Sequence, residues 1–137
     1  VIIVPLNHRL TGPELAFQLH DAELSYIITD RSLANKARES LLTIDLFIWE
    51  DIRPEAYCLE GLQTSIALNQ LHTITYTSGT TGKPKGVMLT YGNHWWSAIS
   101  SSLNLGLEMQ DRWLCAVPLF HMSGLSILLR SVIYGIT

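Results

Sequence analysis

Tyr76-Thr-Ser-Gly-Thr-Thr-Gly-Lys-Pro-Lys-Gly86 is the stretch that decides how this chain folds and what it binds. Its eleven residues include three glycines, four serine or threonine side chains and two lysines. Glycine lets a backbone approach a bulky anion and turn its N–H groups inward, while hydroxyls donate hydrogen bonds and lysine adds positive charge. The composition therefore predicts a loop that binds a polyphosphate, and we expect the triphosphate of ATP.

This segment differs from the common phosphate loop of NTPases, which has four residues between its first glycine and Gly-Lys and then continues as a helix. Here two residues separate Gly79 from Gly82, and Pro84 after Lys83 disfavours a helix. A flexible surface turn is the ordinary alternative, since Ser, Thr, Gly and Pro also form linkers. We favour the phosphate loop because a solvated linker has no need of two lysines and four hydroxyls between two β-type runs.

Composition limits the classes of protein to which the chain belongs. Its 137 residues predict about one domain, and a net charge of −3 gives no basic character that would indicate nucleic acid. Only 15% of the residues are charged, below the usual quarter, so we expect an internal fragment of a larger protein that covers part of this surface.

Neither cysteines nor histidines form a recognisable metal or disulfide pattern. Cys58 and Cys115 are too few for a disulfide framework, and the five histidines lack the spacing of metal ligands. We expect two free thiols, with Cys115 in a buried strand, and no structural metal. The uncharged run 113–129 is interrupted by Pro118 and Gly124, which argues against a membrane span.

Hydrophobic patterning predicts an α/β fold, with helices packed on largely parallel β-sheets. In residues 1–70, strands at 1–5, 24–29 and 45–49 alternate with two helices, the first of which begins with a Thr11–Glu14 capping box. In residues 71–137, a strand at 71–77 leads into the loop, and a return strand at 87–89 precedes a helix that starts at Thr90 or Tyr91. Trp95, Ile99 and Leu103 recur on one face of this helix, which predicts a core-facing side. A buried strand at 113–117 follows.

The last helix has two contrasting faces. Leu125, Leu128, Leu129, Val132 and Ile133 recur at helical spacing, whereas Ser123, Ser126, Arg130 and Tyr134 fall on the opposite side. The polar stripe is either a solvent-facing surface or the lining of a pocket for an acid substrate, with His121 at its entrance.

Three segments of the chain resemble the adenylate-forming superfamily of acyl-CoA synthetases, luciferases and peptide-synthetase adenylation domains. Residues 76–86 match its signature Tyr/Phe-Thr-Ser-Gly-Thr-Thr-Gly-x-Pro-Lys-Gly throughout. Val4-Pro-Leu-Asn-His-Arg-Leu-Thr-Gly-Pro-Glu-Leu15 and Pro118-Leu-Phe-His-Met-Ser-Gly124 resemble two further stretches of the superfamily. The resemblance spans nearly the whole chain and implies an incomplete portion of the large N-terminal domain.

The resemblance implies a reaction in two steps, with ATP, Mg²⁺, coenzyme A and a small carboxylic acid as cofactors and substrates. The carboxylate attacks the α-phosphate of ATP, and the thiol of coenzyme A then attacks the acyl-adenylate and releases AMP. We expect the phosphates to be bound by the loop residues Thr77, Ser78, Gly79, Thr80, Thr81, Gly82, Lys83 and Lys85. Lys85 stands at the signature's fixed lysine and Lys83 at its variable position, where a solvated surface charge is the alternative.

Lys85 and His121 are the candidate catalytic residues, and His121, Ser123, Gly124 and Arg130 are the candidate substrate contacts. The resemblance places His121 beside the acyl pocket; a buried core histidine is the alternative. Gly124 is expected to let substrate or a helix backbone approach closely. The superfamily's Mg²⁺-binding glutamate, ribose-binding aspartate and C-terminal lysine are expected beyond Thr137, so we expect the fragment alone to be inactive.

Within the superfamily, residues 90–107 and 120–135 are most similar to the 2-succinylbenzoate–CoA ligases of bacterial menaquinone synthesis. Such a substrate carries two carboxylates, and Arg130 could face the one that is not activated. Another aryl- or fatty-acid CoA ligase, a peptide-synthetase adenylation domain and an inert fragment remain open. We expect a cytoplasmic protein with no nucleic-acid partner and no membrane span, and a homo-oligomer remains open.

Overall fold

The computed structural model describes residues 1–40, 44–53, 63–78 and 83–137. The chain divides into two compact units. One comprises residues 6–64, and the other comprises residues 1–5 together with 65–137.

The 6–64 unit contains a β-α-β arrangement. Helix α1 (Gly12–Asp21) precedes strand β1 (Tyr26–Thr29), helix α2 (Ala34–Ser40) and strand β2 (Asp45–Ile48), and a 3₁₀ turn follows at Trp49–Asp51. Strands β1 and β2 are parallel, with Tyr26 opposite Asp45 and Thr29 opposite Ile48. The crossover through α2 is what a parallel pair of neighbouring strands requires.

A capping box starts α1, as the sequence predicts. The Glu14 carboxylate accepts hydrogen bonds from the Thr11 backbone N–H at 2.8 Å and from the Thr11 hydroxyl at 2.7 Å. These two bonds lower the pKa of Glu14 because they favour its charged form. The helix then buries Leu15 and Leu19 against Ile27 of β1, which forms the core of this unit.

The other unit is built on an antiparallel hairpin. Strand β3 (Leu71–Thr77) pairs with strand β4 (Lys85–Thr90), and helices α3 (Tyr91–Leu105) and α4 (Met122–Tyr134) follow. The N-terminal segment belongs to this unit, because Ile3 forms a parallel bridge with Thr73. The alternating order of strands and helices in residues 1–70 predicts that 1–5 shares a parallel sheet with β1 and β2, and this is wrong, because the Ile3 backbone bonds to His72 and Ile74 of β3.

Helix α3 begins where the sequence predicts. Thr90 accepts a hydrogen bond from the Asn93 backbone N–H at 3.2 Å, and its own N–H donates to the Asn93 side chain at 2.8 Å. The helix buries Gly92, His94 and Ala98. The predicted core face is wrong in part, since Trp95 is 40% exposed and Leu103 is 83% exposed. The buried side is thus the one that carries the small and polar residues.

Residues 113–117 do not form the predicted strand. They run without a strand partner in the described part of the chain, and Leu114 is 84% exposed. Cys115, expected in a buried strand, is an exposed free thiol, and Cys58 lies outside the described residues. Hydrophobicity alone favoured a strand here, but a strand needs a neighbour to satisfy its backbone.

None of the helices in the described residues combines the length and the apolar character that a bilayer span requires.

Candidate functional site

The hairpin places part of the predicted phosphate loop at one end of the sheet. Thr77 is paired with Lys85 in the last register position before the turn, and both residues are exposed. Side chains directly opposite each other in an antiparallel pair lie on the same face, with Cβ atoms about 5 Å apart. A hydroxyl and an ammonium group are therefore presented together at this end.

The other loop residues flank this pair. Ser78 follows β3 and Lys83 lies two residues before β4, and both are exposed. Gly79, Thr80, Thr81 and Gly82 lie outside the described residues. The described loop residues thus expose two hydroxyls and two lysines toward solvent, an arrangement that can neutralise a phosphate chain.

A cavity of about 260 Å³ lies between β4, α3 and α4, and we call it the α3–α4 cavity. It combines a few apolar side chains with a larger number of polar ones. Its lining residues are Leu89, Asn93, His94, Ser97, Met122, Ser123, Ser126, Leu129 and Arg130. Polar groups that converge in a concave site fix the orientation of a bound small molecule, and here they outnumber the apolar side chains.

Arg130 is the cation of this cavity. Its guanidinium donates a hydrogen bond to the Ser97 hydroxyl at 3.2 Å and lies 5.9 Å from the centre of the Trp113 ring. Its Nε is buried and has no hydrogen-bond partner in the described part of the chain. The ion pair found among the described residues joins Arg31 to Asp51, so no carboxylate there neutralises Arg130. A partly buried cation without a counter-ion favours the binding of an anion.

The polar stripe of α4 points largely into this cavity. Ser123, Ser126 and Arg130 line it, whereas the Tyr134 hydroxyl bonds to the Ala98 carbonyl oxygen on α3. Of the two interpretations left open by the sequence, the geometry favours the pocket lining for three of the four residues.

His121 and Gly124 occupy different positions from those three. His121 precedes α4, is exposed, and packs its ring against Phe120 at a centroid distance of 4.7 Å with the two rings tilted by 52°. It adjoins Met122 but does not itself line the α3–α4 cavity. Gly124 is buried, and a Cβ there would lie 2.4 Å from the Pro118 carbonyl oxygen and 2.5 Å from that of Val117. Its role is to admit the 117–118 backbone.

Three cavity residues on α3 were not predicted from the sequence: Asn93, His94 and Ser97. The apolar residues that recur along the same helix predict a core-facing side and give no indication of a cavity. The available signal was the i, i+3 spacing of His94 and Ser97, which puts them on one helix face beside Asn93.

Beneath the cavity, His94 belongs to a buried polar cluster with Thr73 and His72 of β3. The Thr73 hydroxyl oxygen lies 3.1 Å from His94 Nε2 and 3.0 Å from His72 Nδ1. Burial lowers the pKa of His94, with a smaller effect from the neighbouring His72, and burial also lowers the pKa of His72. Both rings are therefore favoured in the neutral form.

The fold and the site together define a class of protein: a helix-and-sheet domain with exposed hydroxyl and lysine side chains at one end of its hairpin and a cationic cavity between its last two helices. The sequence profile of AMP-binding enzymes matches residues 1–137, and the chain belongs to that family. The resemblance to the adenylate-forming superfamily is thereby confirmed.

Individual relatives agree with this assignment. The 2-succinylbenzoate–CoA ligase of Listeria innocua is 50% identical over 131 residues, which is 96% of this chain and 27% of that protein. The chain thus spans less than a third of that relative.

Solved structures of o-succinylbenzoate CoA synthetase from Bacillus subtilis are similar in fold. The complex with the acyl-adenylate intermediate OSB-AMP has a TM-score of 0.88 at 46% identity and covers 100% of this chain and 36% of that one. The complex with ATP and a magnesium ion has a TM-score of 0.85 at 46% identity and covers 98% and 35%. This likeness confirms the predicted α/β fold class.

Proposed function

We propose that the full-length protein carrying this chain is an AMP-forming acid–CoA ligase that activates 2-succinylbenzoate for menaquinone synthesis. The observation that carries the choice of acid is Arg130, a cation in the α3–α4 cavity without a carboxylate partner among the described residues. A substrate with two carboxylates can leave one beside Arg130 while the other reacts. The relatives named 2-succinylbenzoate–CoA ligase support the same substrate.

The exposed loop supports the first step. Carboxylate and triphosphate are both anions, so the site has to neutralise charge and hold the two reactants in line. One ammonium about 4 Å from a phosphate oxygen contributes roughly 4 kcal/mol at an effective dielectric near 20. We assign this role first to Lys85, with Thr77 and Ser78 as hydrogen-bond donors and Lys83 as a secondary charge.

His121, Ser123 and Arg130 are the proposed contacts of the acid. Ser123 and Arg130 line the cavity, and His121 stands one residue before its wall at Met122, where it can contact the reacting carboxylate. Gly124 contributes by letting the 117–118 backbone pack against α4.

The residues present fit ATP better than they fit Mg²⁺. Thr77, Ser78, Lys83 and Lys85 offer donors and charge to phosphates, whereas no group of three or more potential metal ligands occurs among the described residues. Phosphate oxygens and carboxylates outside the described residues would hold Mg²⁺, which offsets negative charge on the phosphates when bound. We propose that the 137-residue chain alone does not complete adenylation.

A fatty-acid or aryl-acid ligase and a peptide-synthetase adenylation domain share the loop and remain the alternatives. A fatty-acid pocket has no use for a second cation, so Arg130 argues against it. We propose a cytoplasmic location because the substrates ATP and coenzyme A are held there.

The test is a panel of carboxylic acids assayed for AMP release by the full-length protein, with and without Arg130→Ala. We expect succinylbenzoate to be the preferred acid and the substitution to raise its KM roughly 10- to 100-fold, the range for a lost hydrogen bond to a charged group. An analogue that lacks the second carboxylate is the control, and its KM should hardly change. An unchanged KM for succinylbenzoate would remove Arg130 from the substrate site.

A further inference from the structure

The His72–Thr73–His94 cluster is buried, yet one of its members lines the α3–α4 cavity. Thr73 is completely buried, and the two histidines are each less than a tenth exposed. His94 contributes to the cavity wall, while its Nε2 is engaged with the Thr73 hydroxyl at 3.1 Å. Its Nδ1 is the remaining polar atom of the ring, so any hydrogen bond from His94 to a ligand in the cavity has to be made through this nitrogen.

The threonine hydroxyl couples the two rings because it carries a single proton. It can donate to only one of the two nitrogens that flank it, and it must accept from the other. If it donates to His94 Nε2, then His72 Nδ1 carries a proton and donates to Thr73. A neutral His94 then bears its own proton on Nδ1. The opposite polarity would leave Nδ1 of His94 as an acceptor.

The charge in the cavity decides between these two polarities. Arg130 makes the cavity suited to an anionic oxygen, and an anionic oxygen needs donors around it. A lone pair on His94 Nδ1 would repel such a ligand, whereas an N–H would bind it. In the arrangement compatible with an anion, His72 therefore donates to Thr73 and Thr73 donates to His94. The Nδ1–H of His94 is then the donor to the ligand.

We propose that this hydrogen-bond chain fixes His94 with its proton on Nδ1 and that this N–H binds the carboxylate of the acid that Arg130 also holds. His94 is then a specificity-determining contact, and Thr73 and His72 are positioning residues that act through it. The inference rests on the proposed function, since it assumes an acid with a second carboxylate.

Two substitutions of His94 distinguish its contact with the ligand from its contact with Thr73. Gln places its amide near the position of Nε2, so His94→Gln keeps the contact with Thr73 and loses the donor at the δ position. Asn places its amide near Nδ1, so His94→Asn keeps the donor and loses the contact with Thr73. In the full-length protein we expect His94→Gln to raise the KM for succinylbenzoate about tenfold. We expect His94→Asn to raise it only a few fold, since this variant, like Thr73→Val, loses the positioning contact and keeps a donor at the δ position.

Thr73→Val tests the positioning role, because valine keeps the shape and removes the hydroxyl. We expect a KM increase of a few fold with succinylbenzoate and none with the analogue that lacks the second carboxylate. Nitrogen-15 NMR of the histidine rings in the full-length wild-type protein supplies a direct readout. It should show His94 protonated on Nδ1 and unprotonated on Nε2.

The outcomes are distinct. Equal KM values for His94→Gln and wild type would overturn the proposed contact, as would an equal loss with both acids. A proton on Nε2 of His94 would overturn the polarity of the chain. If the wild-type protein does not adenylate succinylbenzoate at all, the proposed function fails, and the NMR result still decides the polarity.

Discussion

Arg130 on α4 donates a hydrogen bond across 3.2 Å to the hydroxyl of Ser97 on α3. This contact spans the α3–α4 cavity and holds the guanidinium in one position. It occupies one N–H, while the other donors remain for a ligand. The Trp113 ring, 5.9 Å from the guanidinium carbon, adds a cation–π contact. The cation is thus held in place by neutral groups.

Ser97→Ala should therefore weaken substrate binding without removing the cation. We expect the KM for succinylbenzoate to rise about 2- to 10-fold with kcat unchanged, because a typical hydrogen bond contributes about 0.5–1.5 kcal/mol. Steady-state AMP release by the full-length protein measures this. Ser100→Ala is the matched control, since Ser100 is an exposed serine on the same helix that does not line the cavity. Identical KM values for the two variants would contradict the role of Ser97.

Lys85→Ala should lower the rate of adenylation. The register opposite Thr77 fixes the lysine backbone at the end of the sheet, so its ammonium can follow the phosphates as pyrophosphate leaves. We expect kcat to fall by about 10²- to 10³-fold, as when one transition-state donor is removed. ATP–pyrophosphate exchange by the full-length protein measures the step.

Lys83→Ala is the matched control, because Lys83 is exposed and two residues away, and its kcat should fall less than tenfold. A fall in kcat of less than threefold for Lys85→Ala would mean that another group neutralises the phosphates.

Elements whose signals are local were predictable from the sequence. The Thr11–Glu14 capping box and the start of α3 at Thr90 depend on residues three apart, and both are found in the structure. Strand partnership depends on distant residues. Ile3 pairs with Thr73, whereas residues 113–117 have no strand partner among the described residues. The local sequence pattern predicts neither result.

The candidate site was predictable to a similar extent. Periodicity identified Ser123, Ser126 and Arg130 as one stripe, and the structure shows that the stripe lines a cavity. His94 was missed because its two partners are 21 and 22 residues away in the sequence, on β3. A hydrogen-bond network assembled from two elements has no single-segment pattern, so sequence inspection could not find it.

The buried histidines should make the sheet of the hairpin sensitive to acid. Burial lowers the pKa of His72 and His94 below the value of 6.5, so the folded state binds fewer protons than the unfolded state just below that pH. Stability therefore falls as pH drops below about 6.5 and levels off below the folded pKa values. Amide hydrogen exchange in β3 and α3 of the full-length protein, corrected for intrinsic rates, should show this loss of protection.

His94→Gln is the control for that effect, because glutamine keeps a contact with Thr73 and does not titrate. Its protection should decline less between about pH 6.5 and 5 than that of wild type. The same decline in both proteins would show that His94 is not a source of the acid sensitivity.

Gly124→Ala should destabilise the unit that contains α4. A Cβ at this position would lie 2.4 Å from the Pro118 carbonyl oxygen, and the atom in the way is backbone, which cannot rotate aside. We expect the free energy of unfolding to fall by about 1–3 kcal/mol, the usual cost of overpacking. Urea denaturation of the full-length protein, followed by a probe in α4, measures it.

Gly12→Ala is the matched control, because a Cβ there would lie at an ordinary 3.7 Å from the Ser40 hydroxyl. This substitution should change the free energy of unfolding by less than about 0.5 kcal/mol. Equal free energies of unfolding for the two variants would mean that the 117–118 backbone can move away from α4 at little cost. Close packing would then not be the reason for a glycine at position 124.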